Sequence, residues 1–200
     1  MATILYGTKK GIREIVLTFD DGPSLQLTPK LLDILATRQI KAMFFVVGQQ
    51  MKTAAGRNLM ERAHSEGHLI GNHSYTHADF KTLSEKKVRE ELRKTQDLIG
   101  PAAHELKFFR PPYGSTNGMV DKILKSEGYT KVLWNVDTLD WHPKFRKNGL
   151  WVGHGMIQIN NREDSIVLMH DIHATTVNRV EDLITRIKKI PKVEFAIYAD

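Results

Sequence analysis

The chain has 200 residues, 41% of them hydrophobic and 26% charged, enough for one sizeable core and within the range of a single domain over residues 1–200. Lys plus Arg outnumber Asp plus Glu by 29 to 23, a formal charge of +6, so an anionic partner is attracted. Basic runs such as Lys86-Lys87 and Lys188-Lys189 lack interleaved aromatics, which argues against nucleic-acid binding, and the lack of cysteine excludes disulfides, thiolate metal sites and a cysteine nucleophile.

The opening "MATILYGTKK" has neither the basic start nor the long apolar stretch of an export signal, and no segment reaches the ~18 apolar residues of a spanning helix. The first apolar run, "EIVLTF" (14–19), predicts a strand that stops at Asp20-Asp21-Gly22-Pro23. Thr28-Pro29 reads as an N-cap followed by a proline at the first helical position. "KAMFFVV" (41–47) and "HLIGN" (68–72) predict the next strands, with Gly67 stopping the helix between them. Ser84-Glu85 opens the clearest helix, which Gly100 ends, and "LKFFR" (106–110) follows as a strand. Gly128 stops a further helix, and "VLWNV" (132–136), "SIVLM" (165–169) and "EFAIY" (194–198) bring the strands to seven. Gly149, Gly153 and Gly155 weaken the case for a helix in 142–163.

Six helices alternating with seven short apolar strands predict an α/β fold with a parallel sheet buried on both faces. The absence of Gly-x-Gly-x-x-Gly after the first strand removes the main reason to prefer an open dinucleotide-binding sheet, and a barrel is favoured. In a parallel barrel the C-terminal strand ends share one face. Five polar segments fall at such ends: Asp20-Asp21, "NHSYTH" (72–77), "RPPYG" (110–114), "DTLDW" (137–141) and "HDIH" (170–173).

His73 and His77 lie in a segment that reads as a loop or single turn, and alone such a pair is commonplace. Joined to a strand-end carboxylate from Asp20 or Asp21, they make a two-imidazole, one-carboxylate set suited to Zn²⁺ or another divalent ion. Adjacent carboxylates rarely share one role, since like charge raises one pKa unless a cation intervenes. One of the pair is therefore expected to ligate the ion while its neighbour serves as a general base, with Arg110 as an orienting guanidinium. A carboxylate such as Asp140 could keep His170 protonated as an acid. His77-Ala78-Asp79 has the spacing of an Fe(II) facial triad, but the strand-helix alternation argues against that reading.

Taken in this order, "TFDDGPS", "HSYTH", "RPPYG", "DTLDW" and "VLMHD" resemble the five motifs of the polysaccharide deacetylases, carbohydrate esterase family four, from about residue 14 to the end of the chain. The resemblance implies a distorted seven-stranded (β/α) barrel and a metal-dependent deacetylase. It makes Asp20 the catalytic base, positioned by Arg110, and Asp21, His73 and His77 the ligands of a divalent metal, zinc first, with cobalt or manganese as substitutes. It gives the Tyr113 backbone N–H to the oxyanion, His170 held by Asp140 to the leaving amine, and Trp141 with Leu168 to the acetyl methyl. The expected substrate is a carbohydrate polymer or oligomer carrying N-acetylglucosamine-type residues, peptidoglycan or chitin oligomers, with an O-acetyl xylan esterase as the alternative. A non-catalytic relative would lack Asp20 or His170, and both are present. A monomer working outside the cytoplasm is the expectation for such a protein.

Overall fold

The computed structural model describes residues 9–102 and 106–197, so residues 1–8 and Tyr198 of the last expected strand lie outside the described part. The strands are β1 (Arg13–Asp20), β2 (Met43–Val46), β3 (Leu69–Asn72), β4 (Lys107–Phe109), β5 (Tyr129–Lys131), β6 (Val136–Asp137), β7 (Ser165–His170) and β8 (Val193–Phe195). Between them lie the helices α1 (Thr28–Arg38), α2 (Ala54–Ser65), α3 (Glu85–Ile99), α4 (Gly118–Ser126), α5 (Pro143–Arg146), α6 (Leu150–Asn160) and α7 (Ala174–Ile187). All pairings are parallel, in the order β5-β4-β3-β2-β1-β7-β6. β8 joins Arg13–Ile15 of β1, whereas β2 joins Thr18–Asp20. The sheet curls like a barrel, but no ladder joins its end strands β5 and β6 among the described residues.

Period-2 alternation sends each strand to two cores. From β1, Ile15, Leu17 and Phe19 join Leu31, Leu35, Val180 and Ile184 under the helices, while Val16 joins Met43, Phe45, Leu69, Phe108 and Val132 in the barrel interior. Gly71 of β3 is needed there, because a Cβ would sit 2.6 Å from two ring carbons of Phe45. Thr18 and Asp20 continue the inward face of β1, and Leu168 and His170 that of β7, so polar groups cap a small apolar interior.

Three local expectations are corrected. The run 132–136 is not one strand: β5 ends before it and only Val136 enters β6, because the carbonyls of Val132 and Leu133 accept from Arg110 rather than from a ladder. The described strands therefore number eight, and 132–135 bridge the open side. The 142–163 segment does contain a helix, α6; Gly155 lies within it and lets it approach Thr138, whose Cγ2 would be 3.1 Å from an added Cβ. Thr28 is not the cap of α1 but its first residue, after Leu27; its hydroxyl accepts from Ser24 N–H and donates to Asp171. The basic pairs are ordinary helix surface: Lys87 pairs with Glu90 and Lys188 donates to the Arg38 carbonyl.

Candidate active site

At the C-terminal strand ends, eight of the ten anticipated residues line one cleft of about 420 Å³, and the other two, Arg110 and Asp140, are fully buried beside it. The cleft adds Trp134 and Asp137, which the sequence reading passed over. Trp134 lies within the apolar run "VLWNV", and Asp137 opens the segment "DTLDW", which is its one signal in the sequence.

Arg110 organises one side. Its Nη1 donates to Asp20 Oδ1 (2.8 Å) and Thr18 Oγ1 (2.7 Å), its Nε and Nη2 hold the carbonyls of Val132 and Leu133 (3.2 Å each), and Phe45 underlies the guanidinium at 4.1 Å. Burial pushes the Asp20 carboxyl above its ordinary pKa, and the charges of Arg110 and His170 oppose that push. The Arg110 carbonyl also faces His73 Nδ1 at 2.7 Å. A carbonyl only accepts, so Nδ1 carries the proton and Nε2 keeps its lone pair.

Both aspartates lie near that nitrogen, Asp20 Oδ2 at 3.6 Å, but only Asp21 also reaches His77. Asp21 Oδ1 lies 3.5 Å from His73 Nε2 and 3.2 Å from His77 Nε2, and it is buried without a hydrogen-bond partner among the described residues. Burial holds His73 neutral, its pKa lowered to about 3 despite the charge of Asp21. An imidazole pair facing an orphaned carboxylate oxygen is the donor set a divalent cation takes, so these three residues fit a metal, as the resemblance implied. Asp79 does not join them; its carboxylate caps the turn at Lys81 N–H, which disposes of the facial-triad reading.

The His73–His77 segment is a loop, and its turns are made by residues the sequence reading did not single out. Asn72 Oδ1 accepts from Ser74 N–H, Ser74 Oγ from His77 N–H, and Glu91 Oε2 of α3 from Tyr75 N–H, Thr76 N–H and the Thr76 hydroxyl. Asp21, Ser74, His77, Tyr113 and Leu139 all have φ between 58° and 75°, five of the eight non-glycine residues with positive φ among the described residues, so the backbone strain gathers at this site.

Opposite Arg110, Asp140 grips His170 twice: Oδ1 meets Nδ1 at 2.8 Å, and Oδ2 accepts from the His170 N–H (2.8 Å) and the Thr176 hydroxyl (2.7 Å). Burial would lower the His170 pKa, but the hydrogen bond and charge of Asp140, aided by Asp20 and Asp21, raise it to about 9. Burial works against Asp140 in the same way, yet its bond to His170 holds its carboxyl below the ordinary value. Trp141 Nε1 donates to Asp137 Oδ1 (3.3 Å), so its half-exposed ring stands over the cleft beside the buried Leu168. Tyr113 projects its ring outward, 4.7 Å from that of His77, and its backbone N–H donates to none of the described residues.

Asp171 is a further residue missed. It is fully buried, accepts from the Thr28 hydroxyl, and lies so close to the turn after Asp21 that a Cβ on Gly22 would fall 2.3 Å from both its oxygens. Burial pushes its carboxyl up to about 7, with the Thr28 bond opposing.

Residues 7–132 match the polysaccharide deacetylase family. A peptidoglycan-N-acetylglucosamine deacetylase of Listeria monocytogenes is 36% identical over 177 residues, 88% of this chain and 36% of that protein. The chain spans less than half the length of this relative and of the Bacillus cereus peptidoglycan deacetylase it also matches. A solved peptidoglycan N-acetylglucosamine deacetylase superposes with a TM-score of 0.83 at 30% identity, covering 94% of this chain and 87% of that one. A pseudoenzyme of carbohydrate esterase family four from Bacillus anthracis superposes with a TM-score of 0.82 at 29% identity, covering 98% and 68%. The fold alone therefore does not establish turnover; the residues in the cleft must.

Proposed function

The chain belongs to the polysaccharide deacetylase family, and from that premise we propose that it hydrolyses the N-acetyl group of N-acetylglucosamine-type residues in a polysaccharide, with peptidoglycan as the preferred polymer. One observation carries the reading: a carboxylate held by a buried arginine and a histidine held by a buried carboxylate end adjacent strands at one cleft. These are a base and an acid poised for two proton transfers in one reaction.

Asp21, His73 and His77 would hold a divalent metal, zinc first. Bound there, such an ion would polarise the acetyl carbonyl and ease deprotonation of water. Asp20 takes a proton from the water whose oxygen adds to the carbonyl carbon. The free Tyr113 N–H stabilises the oxyanion that develops. His170, protonated through Nδ1 to Asp140, presents Nε2 to the amide nitrogen and donates its proton as the C–N bond breaks, leaving acetate and a free amine. Leu168 and Trp141 enclose the acetyl methyl. The polymer lies outside the cytoplasm, and the protein is proposed to work there.

The test is acetate release, with mass spectrometry of the products, from peptidoglycan strands, chitooligosaccharides and acetylated xylan. Loss of N-acetyl groups from either amino-sugar polymer is the expected outcome. Release from xylan alone would replace the reading by an ester hydrolase, and release from none would overturn it.

A further inference from the structure

From Trp141 to Arg162 the chain contains Lys144, Arg146, Lys147 and Arg162 but no Asp or Glu. The first part of this stretch, α5 and the turn after it, is tied to the cleft at two places. The Trp141 ring meets that of His142 at 5.5 Å, and His142 meets Phe145 of α5 at 5.8 Å. The His170 ring lies 5.8 Å from that of His173, and Arg146 Nη1 lies 3.5 Å from His173 Nδ1. The Arg146 carbonyl accepts from the Thr175 hydroxyl in the first turn of α7, and Arg179 of α7 packs on Gly149, where an added Cβ would be 3.1 Å from its Nε.

Lys144, Arg146, Lys147 and Arg179 are all exposed. Among the described residues none of them is in an ion pair, whereas Arg38, Arg62, Arg89, Arg93 and Arg186 each hold a carboxylate. A cluster of cations without counter-ions keeps its field for a ligand, and a guanidinium fork matches a carboxylate.

We infer that this cationic rim is a subsite for the carboxylates of an acidic glycan: with one acetamido group in the cleft, a neighbouring sugar places its acid against Arg146 and the cations around it. The inference rests on the N-deacetylase reading and adds to it the charge of the polymer and the place where that charge is read. The carboxylate could be the lactyl group of the sugar or that of an attached peptide.

The test measures binding directly, so that it does not depend on turnover. Soluble glycan strands bearing peptides, strands stripped of peptides but retaining lactyl carboxylates, and neutral chitohexaose are titrated into wild type and into the double variant Arg146→Gln/Arg179→Gln. Wild type is expected to prefer an acidic strand over chitohexaose, and the variant to lose roughly three- to tenfold of that preference, as does added salt. The peptide-stripped arm identifies which carboxylate is read. An equal preference in the variant, or none in wild type, overturns the subsite. Failure of the deacetylase reading shows separately, as absence of acetate release by a wild type whose binding preference is intact.

Discussion

Asp20 and His170 are Cα partners in the parallel register of β1 and β7. Both side chains face the cleft, one held by Arg110 and the other by Asp140, so the base and the acid are brought together by strand pairing rather than by a flexible loop. Asp140 raises the pKa of His170 against burial, whereas burial raises that of Asp20 against Arg110, which makes the pair testable by pH.

For the proposed reaction kcat/KM should be bell-shaped. The acid form of His170 is lost as pH rises through its raised pKa, so the alkaline limb should fall near pH 9. The base must be ionised, and burial of Asp20 places the acidic limb above the ordinary carboxylate range. Asp140→Asn removes the charge that favours imidazolium while burial remains, so the alkaline limb should move to lower pH. Rates on a soluble chitooligosaccharide across pH measure this, and a limb unmoved in the variant would mean that Asp140 does not set the acid. The two groups face each other and titrate as a pair, so the direction is the prediction.

The two aspartates should separate by metal content. Chelation should remove activity and zinc or cobalt restore it. His73→Ala and Asp21→Asn should lose metal by elemental analysis, whereas Asp20→Asn should keep metal and lose turnover. Equal metal loss in both aspartate variants would show that Asp20 is a ligand too.

Arg110→Met leaves the buried Asp20 without its cation and two carbonyls without a donor, so unfolding in urea should show a loss of about 3–5 kcal/mol. Arg110→Lys keeps the charge but not the fork, and should recover stability only in part.

Glu91 touches no proposed ligand, yet it anchors the loop between His73 and His77 through three hydrogen bonds. Glu91→Ala should lower metal affinity about 10–100-fold, read by competition with a chromogenic chelator. A variant that binds metal like wild type would show that Asn72 and Ser74 hold the turn alone.

Gly71→Ala places a methyl against the Phe45 ring inside the barrel and should cost about 1–3 kcal/mol in chemical denaturation, with the secondary structure retained by circular dichroism.

The strand ends were legible because each carries its own signal: apolar runs buried on both faces stop at polar clusters, and those clusters are read without knowing what they touch. That was enough to expect a parallel barrel-like fold and to bring together Asp20, Asp21, His73, His77, Arg110, Asp140 and His170. The strand at 132–136 was misread because Val132 and Leu133 look like ladder residues, and only the position of Arg110 shows that their carbonyls are used elsewhere. Gly155 reads as a helix breaker because propensity counts the entropy of glycine and not the room that its missing side chain leaves for Thr138.

The sequence by itself determined which chemical groups are available and which ends of the strands carry them, since residue type and period are local properties. Only the tertiary structure decided how they are paired. Asp20 sits on Arg110 and Asp21 on the two histidines, although the aspartates are neighbours, because successive residues leaving a strand point in different directions and meet different elements. Asn72, Glu91 and Asp171 gain their places through contacts made far along the chain, and no local pattern encodes them.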